Sequence, residues 1–191
     1  MLDFSIKDVL YLSSEYCSEE TINHHIRICK FSLALFNSLK NPYDLTEDEK
    51  LILIGSCLLH DIGKYIDDKN HHKYSKNIIL GDKRFYYLFK TLTVPISVVA
   101  FSHRKAISAD IKILENFDEE SILKIISILR VCDSIDYYKN DSFDIHDISI
   151  NPYEIIINVN FRYDKTFLKI FNSKKSLFEN TFRKVLTINY R

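Results

Sequence analysis

One segment sets the architecture of this chain. Leu51-Ile-Leu-Ile-Gly-Ser-Cys-Leu-Leu59 is apolar on nearly every side of a helix, and a helix without a polar face must sit in the middle of a domain. Thr46-Glu-Asp-Glu49 opens it as a capping box, in which the threonine hydroxyl and the glutamate three residues on satisfy orphan backbone donors. His60 and Asp61 close it.

The other elements arrange themselves around that helix. The chain has 191 residues with only three glycines and three prolines, several times fewer than average usage of ~7% and ~5% would give. Turns needing positive φ are therefore few, which disfavours a hairpin-rich sandwich or barrel. Helices are expected over residues 5–16, 21–40, 71–80, 85–92, 93–105 and 118–139, with Asn41-Pro42 and Gly81-Asp82 as stops. After residue 140 β-branched and aromatic residues take over. Residues 148–150, 154–163 and 167–171 read as strands and 173–186 as a short amphipathic helix. The expected fold is mainly α: a helical domain over residues 1–143 and a small α+β appendage over residues 144–191.

Lys and Arg total 26 and Asp and Glu total 26, yet residues 160–191 hold eight basic against two acidic groups. That asymmetry admits an anionic partner for the tail, nucleic acid included, or simply a solvated basic face. The run at residues 51–59 is far shorter than the ~18–20 residues that span a bilayer, and residues 1–8 lack a basic region and a long apolar core. Cys17, Cys29, Cys57 and Cys132 are scattered, three of them in apolar helical stretches. A cytoplasmic protein with reduced thiols is expected.

Four polar side chains fall on faces that should be buried. His24 shares a stripe with Ile28, Phe31 and Leu35, and Asp133 with Ile122, Ile126 and Leu129. His60 and Asp61 end the apolar helix. A buried carboxylate needs a cation or a hydrogen-bonding partner. A divalent ion shared by two imidazoles and two carboxylates would remove the penalty for all four groups together. The bland alternatives are a hydrogen-bonded core histidine and an Asp133 ion pair with Arg130 or Lys64. A second His-Asp pair, His146-Asp147, lies in a polar connecting segment and reads as a surface coincidence.

The order His24…His60-Asp61…Asp133, with the local string His60-Asp-Ile-Gly-Lys64, resembles the HD superfamily of metal-dependent phosphohydrolases. The more specific likeness is to the C-terminal half of the exopolyphosphatase/guanosine pentaphosphate phosphohydrolase family. It rests on residues 24–36, Leu59-His-Asp-Ile-Gly63, His71-His-Lys-Tyr-Ser75, Phe101-Ser-His-Arg-Lys-Ala-Ile107, Leu129-Arg-Val-Cys-Asp-Ser-Ile-Asp136 and residues 175–182. There are departures. The tandem histidine motif reads His72-Lys-Tyr74, so one imidazole is lost. No Gly-Tyr-Pro follows His103, and the alarmone-hydrolase signature is absent. Hydrolysis in that family resembles the work of an actin-like half with Gly-rich phosphate loops; this sequence carries too few glycines to build one, so that activity is not expected to transfer.

What the resemblance implies is a metal centre on His24, His60, Asp61 and Asp133. His71 or His72, with His103, would add a second ion bridged by Asp61. Mn, Fe, Ni, Mg and Zn all suit such N/O donors. Asp61 and Lys64 are the expected catalytic groups, Lys64 at the leaving oxygen. Arg104 and Lys105 are candidate phosphate grips or ordinary surface charges, and Asp136 is an orienting partner. Asp67, Asp68 and Tyr74 read as loop or packing residues. The expected activity is hydrolysis of a small phosphate ester or anhydride, nucleotide or polyphosphate-like, by a chain that can form a homodimer. The competing readings are a non-catalytic module binding polyphosphate, a nucleotide or nucleic acid, and a subunit of a separately encoded catalytic domain.

Overall fold

The helix opened by Thr46, α3 (Glu47–Leu59), lies at the centre, and residues 52–59 are all buried. The capping box forms as the sequence requires, with Thr46 and Glu49 exchanging hydrogen bonds. Around α3 pack α1 (Ile6–Ser13), α2 (Glu19–Lys40), α6 (Thr93–Ser102) and α7 (Glu119–Ile135). The outer elements α4 (His71–Gly81) and α5 (Lys83–Phe89) lead into α6. The computed structural model describes residues 4–104, 106–114 and 116–190. Lys105, one of the two candidate phosphate grips, lies outside them.

The protein is mainly helical with a small three-stranded sheet near its C-terminal end. β1 (Ile145–Ile150) and β2 (Glu154–Val159) pair antiparallel, and β3 (Val185–Tyr190) joins the other edge of β2 in parallel. Parallel pairing demands a crossover, since a tight turn cannot make one. Here α8 (Lys165–Lys174) and α9 (Ser176–Phe182) supply it and pack on α7. A single cluster of buried side chains runs from Val9 to Ile188.

Two expectations are corrected in this crossover. Residues 167–171 are helical, not a strand. Asp164 caps the helix by accepting from the Phe167 amide, and Phe167 and Phe171, four apart, are both buried on one face. The helix expected over residues 173–186 is three elements instead: α8 ends at Lys174, α9 stops at Arg183 with φ 53°, and β3 begins at Val185. Two smaller differences follow. α7 stops at Ile135 rather than running to residue 139, and β1 takes in His146-Asp147, which sit exposed at a register shift. The stretch Lys83–Ser102 is long and apolar enough to span a bilayer by length and composition alone. It is largely buried in the domain and is broken at Lys90, where φ is 51°.

Of the three glycines, Gly63 is the most tightly enclosed. A Cβ there would lie 2.1 Å from the His71 carbonyl oxygen and 2.4 Å from the Ser75 nitrogen, both backbone. At Gly55 the nearest atom, at 2.6 Å, is instead the terminal methyl of Ile96. Gly63→Ala should therefore cost about 3 kcal/mol, the upper end for overpacking. Gly55→Ala should stay within about 1 kcal/mol, because helix propensity offsets the crowding. Urea unfolding of the two variants measures the contrast.

Candidate metal centre

The ends of five helices converge on one carboxylate. His60 terminates α3, and Asp61 opens the 3₁₀ turn over residues 62–65. Ser75 on α4 fastens that turn, donating to the His60 carbonyl at 2.6 Å and accepting from the Gly63 amide at 2.9 Å. His71 begins α4, His103 follows α6, His24 lies on α2, and Asp133 is near the end of α7. His24, His60, Asp61, His71 and His103 are buried, and Asp133 is partly exposed.

The two oxygens of Asp61 face different donor sets. Oδ2 lies 3.8 Å from His24 Nε2 and 3.6 Å from His60 Nε2, and Asp133 Oδ1 is 3.6 and 3.9 Å from the same two nitrogens. Oδ1 lies 3.0 Å from His71 Nε2 and 3.6 Å from His103 Nε2. Metal–donor bonds of about 2.0–2.2 Å put neighbouring donors about 3.0–3.5 Å apart. Both sets are within a few tenths of an ångström of that spacing.

Three of the rings are fixed by one device. Each donates Nδ1–H to the carbonyl three residues earlier: His60 to Cys57 at 3.0 Å, His71 to Asp68 at 2.6 Å, His103 to Ala100 at 2.6 Å. A carbonyl only accepts, so these bonds set the tautomer and leave Nε2 as the lone-pair nitrogen. His71 Nε2 and His103 Nε2 nevertheless stand 3.0 Å apart, and His60 Nε2 is buried with no hydrogen-bond partner among the described residues. Three lone pairs, the two Nε2 and Asp61 Oδ1, thus converge on one point. A shared cation satisfies all three at once, whereas a proton satisfies one contact at a time.

His24 is held differently. Its Nδ1 donates to Asp136 Oδ2 at 2.6 Å, and Asp136, fully buried, also accepts from Arg27 Nε at 2.8 Å and Nη2 at 3.0 Å. Burial alone would lower the His24 pKa, but the neighbouring carboxylate of Asp133, the hydrogen bond with Asp136 and the charge of Asp61 push it up to about 9. Burial favours the neutral Asp61 acid, yet its histidine neighbours and Lys64 hold its carboxyl well below the usual range. Asp133, also opposed by burial, is held down by His24 and Lys174. Burial keeps His60 and His103 below the ordinary imidazole value.

His24, Asp61, His71, His103 and Asp133 floor a cleft of about 370 Å³ whose walls carry Lys64, Arg104, Lys139 and Lys174. Lys64 Nζ contacts Asp61 Oδ2, and Lys174 Nζ lies 3.4 Å from Asp133 Oδ2 and from the His103 carbonyl. Arg104 is exposed at the rim. Asp133 pairs with neither Arg130, which donates to the carbonyls of Ser102 and Ala106, nor Lys64. Of the two histidines offered for a second ion, His71 stands in the cluster; the His72 ring packs at a tilt against Phe101, 5.1 Å between centroids.

Sequence reasoning missed His25, Arg27, Ser75 and Lys174. Lys174 was grouped with the basic tail, since only the crossover brings it to the cleft. Elsewhere in that tail Lys175 bonds Glu179 and the Leu186 carbonyl, and Lys184 bonds the carbonyls of Asn151 and Pro152.

The raised His24 pKa has a sign that can be measured. A ring that holds its proton more tightly when folded adds stability in full below its unfolded value of about 6.5. The contribution is lost as pH rises through about 9. Chelator-treated protein should therefore lose about 3 kcal/mol between those limits, and Asp136→Asn should flatten part of that slope, with Asp133 and Asp61 sustaining the rest. Denaturant midpoints across the range check both.

A scan against protein families matches residues 19–180 to Ppx/GppA phosphatase, domain III. A search of curated proteins returns no match. The match covers most of the chain and spans every donor above, from α2 to the crossover. The chain belongs to the Ppx/GppA phosphatase domain III family.

Proposed function

We propose that the protein is a metal-dependent phosphohydrolase of HD type acting on a small phosphate ester or anhydride. The observation that carries this reading is the convergence of His71 Nε2, His103 Nε2 and Asp61 Oδ1, each within 3.0–3.6 Å of the others, with both Nδ1 protons committed elsewhere. His24, His60, Asp61 Oδ2 and Asp133 would hold one divalent ion, and Asp61 Oδ1, His71 and His103 a second. Imidazole and carboxylate donors without thiolate suit Mn, Fe, Ni, Zn or Mg. Such an ion supplies Lewis acidity, lowering the pKa of a coordinated water and screening phosphoryl oxygen charge.

The protein's own groups do the rest. Asp136 orients the His24 ring and increases its donor strength, as carboxylate–histidine pairs do. The i−3 carbonyls hold the other rings at fixed tautomer, so little reorganisation is needed when a ligand arrives. Lys64 and Lys174 stand where phosphate oxygens would meet the cleft walls, and the ammonium of Lys64 is placed to offset charge on a leaving oxygen. Arg104 adds a positive group at the mouth.

One observation favours a second reading, a module that binds polyphosphate or a nucleotide, or serves a partner catalytic subunit, without turnover. Lys64 and Lys174 already neutralise Asp61 and Asp133, so the cluster tolerates the folded state without an ion. Purified protein assayed with Mn²⁺ and a chromogenic phosphomonoester separates the two. Hydrolysis should require the ion, and His60→Ala or Asp61→Ala should reduce kcat by more than about 100-fold. Lys174→Ala should raise KM with metal content unchanged. Bound metal, retained polyphosphate affinity and no turnover on any phosphate ester or anhydride would favour the binding module.

A further inference from the structure

His25 has no role in the reading above, yet it is the least satisfied polar side chain near the cluster. It follows His24 on α2, about 100° further round the helix, and is fully buried. Neither Nδ1 nor Nε2 has a hydrogen-bond partner among the described residues. Leaving such a group unpaired costs about 1–3 kcal/mol, and an apolar side chain of the same shape would avoid that cost.

What His25 does face is the cluster of donor side chains. Its ring lies 4.9 Å from that of His60, centroid to centroid, and 6.1 Å from that of His24. His25, His60 and Asp61 each bring a donor atom to mutual separations within 4.8 Å. On His60 the free atom is Nε2, since Nδ1 is committed to the Cys57 carbonyl. Three donors on one ion with bonds near 2.1 Å stand about 3.0–3.6 Å apart. A shift of about one ångström would therefore bring His25 into its coordination sphere.

We propose that His25 is a further ligand of the ion shared by His60 and Asp61, so that the His24-His25 tandem delivers two imidazoles to one centre. The inference rests on the metal-centre reading. It adds a consequence which that reading lacks: nitrogen donors at this ion rise from two to three. Nitrogen-rich sites favour later first-row ions such as Fe²⁺, Co²⁺, Ni²⁺ or Zn²⁺ over Mg²⁺. His25 thus makes this centre selective for a transition ion.

The test is titration of the chelator-stripped full chain with Co²⁺, followed by visible absorption, with Mg²⁺ as competitor. His25→Gln and the volume-matched His25→Phe should each weaken the tighter Co²⁺ step by about 10-fold or more. Both should change the d–d bands and shift Mg²⁺ affinity by less than about twofold. In the wild-type Co²⁺ protein, which needs no variant, the His25 ring proton should give a contact-shifted NMR resonance. Unchanged Co²⁺ affinity and spectrum in a folded variant, or an unshifted His25 ring proton, overturns the proposal and leaves the metal centre standing. Wild-type protein that binds no Co²⁺ overturns both.

Discussion

The carboxylate of Asp61 is the constraint around which the site is arranged. It is buried at the end of the central helix α3, where an unpaired charge would cost several kcal/mol. Helix ends from across the domain therefore bring it imidazoles and an ammonium, and those groups need orienting in turn. Asp136, Arg27, Ser75 and three backbone carbonyls provide that orientation. The closeness of Gly63 to α4 belongs to the same demand, because the 3₁₀ turn can face Asp61 toward His71 only if nothing projects between turn and helix.

Much of this was legible because its signals are local. The capping box and uniform apolarity of residues 46–59 announce a central helix, and helical spacing brings His24 and Asp133 to buried faces. Asp136 was recognisable as an orienting partner from its place just past Asp133. The family resemblance drawn from scattered motifs agrees with the family to which the chain belongs.

What escaped was decided by contacts distant in sequence or by competition between periods. Phe167-Leu-Lys-Ile-Phe171 satisfies a strand's preference for aromatic and β-branched residues, but its phenylalanines are also four apart. The Asp164 cap and the face offered by α7 make the helix win. His25 was hidden by its neighbour: a helical stripe drawn through His24 excludes the next residue, and nothing local says that a second buried face exists there. Lys174 was counted with the tail because charge statistics carry no information about where a crossover passes.

That crossover has a consequence for assembly. Every imidazole and carboxylate of the cluster lies before residue 137, but Lys174 and Ile170, which wall the cleft, lie on α8 between two parallel strands. Parallel pairing closes a long loop before it gains contacts, which makes it a slow, non-local step. During synthesis the donors can therefore gather while the cleft is still open on one side. The carboxylate of Asp133 acquires its ammonium neighbour only once α8 has packed on α7. The crossover helix α8, through Ile170 and Lys174, acts as the closing wall of the pocket, and its packing on α7 decides when the acidic floor gains its last positive neighbour.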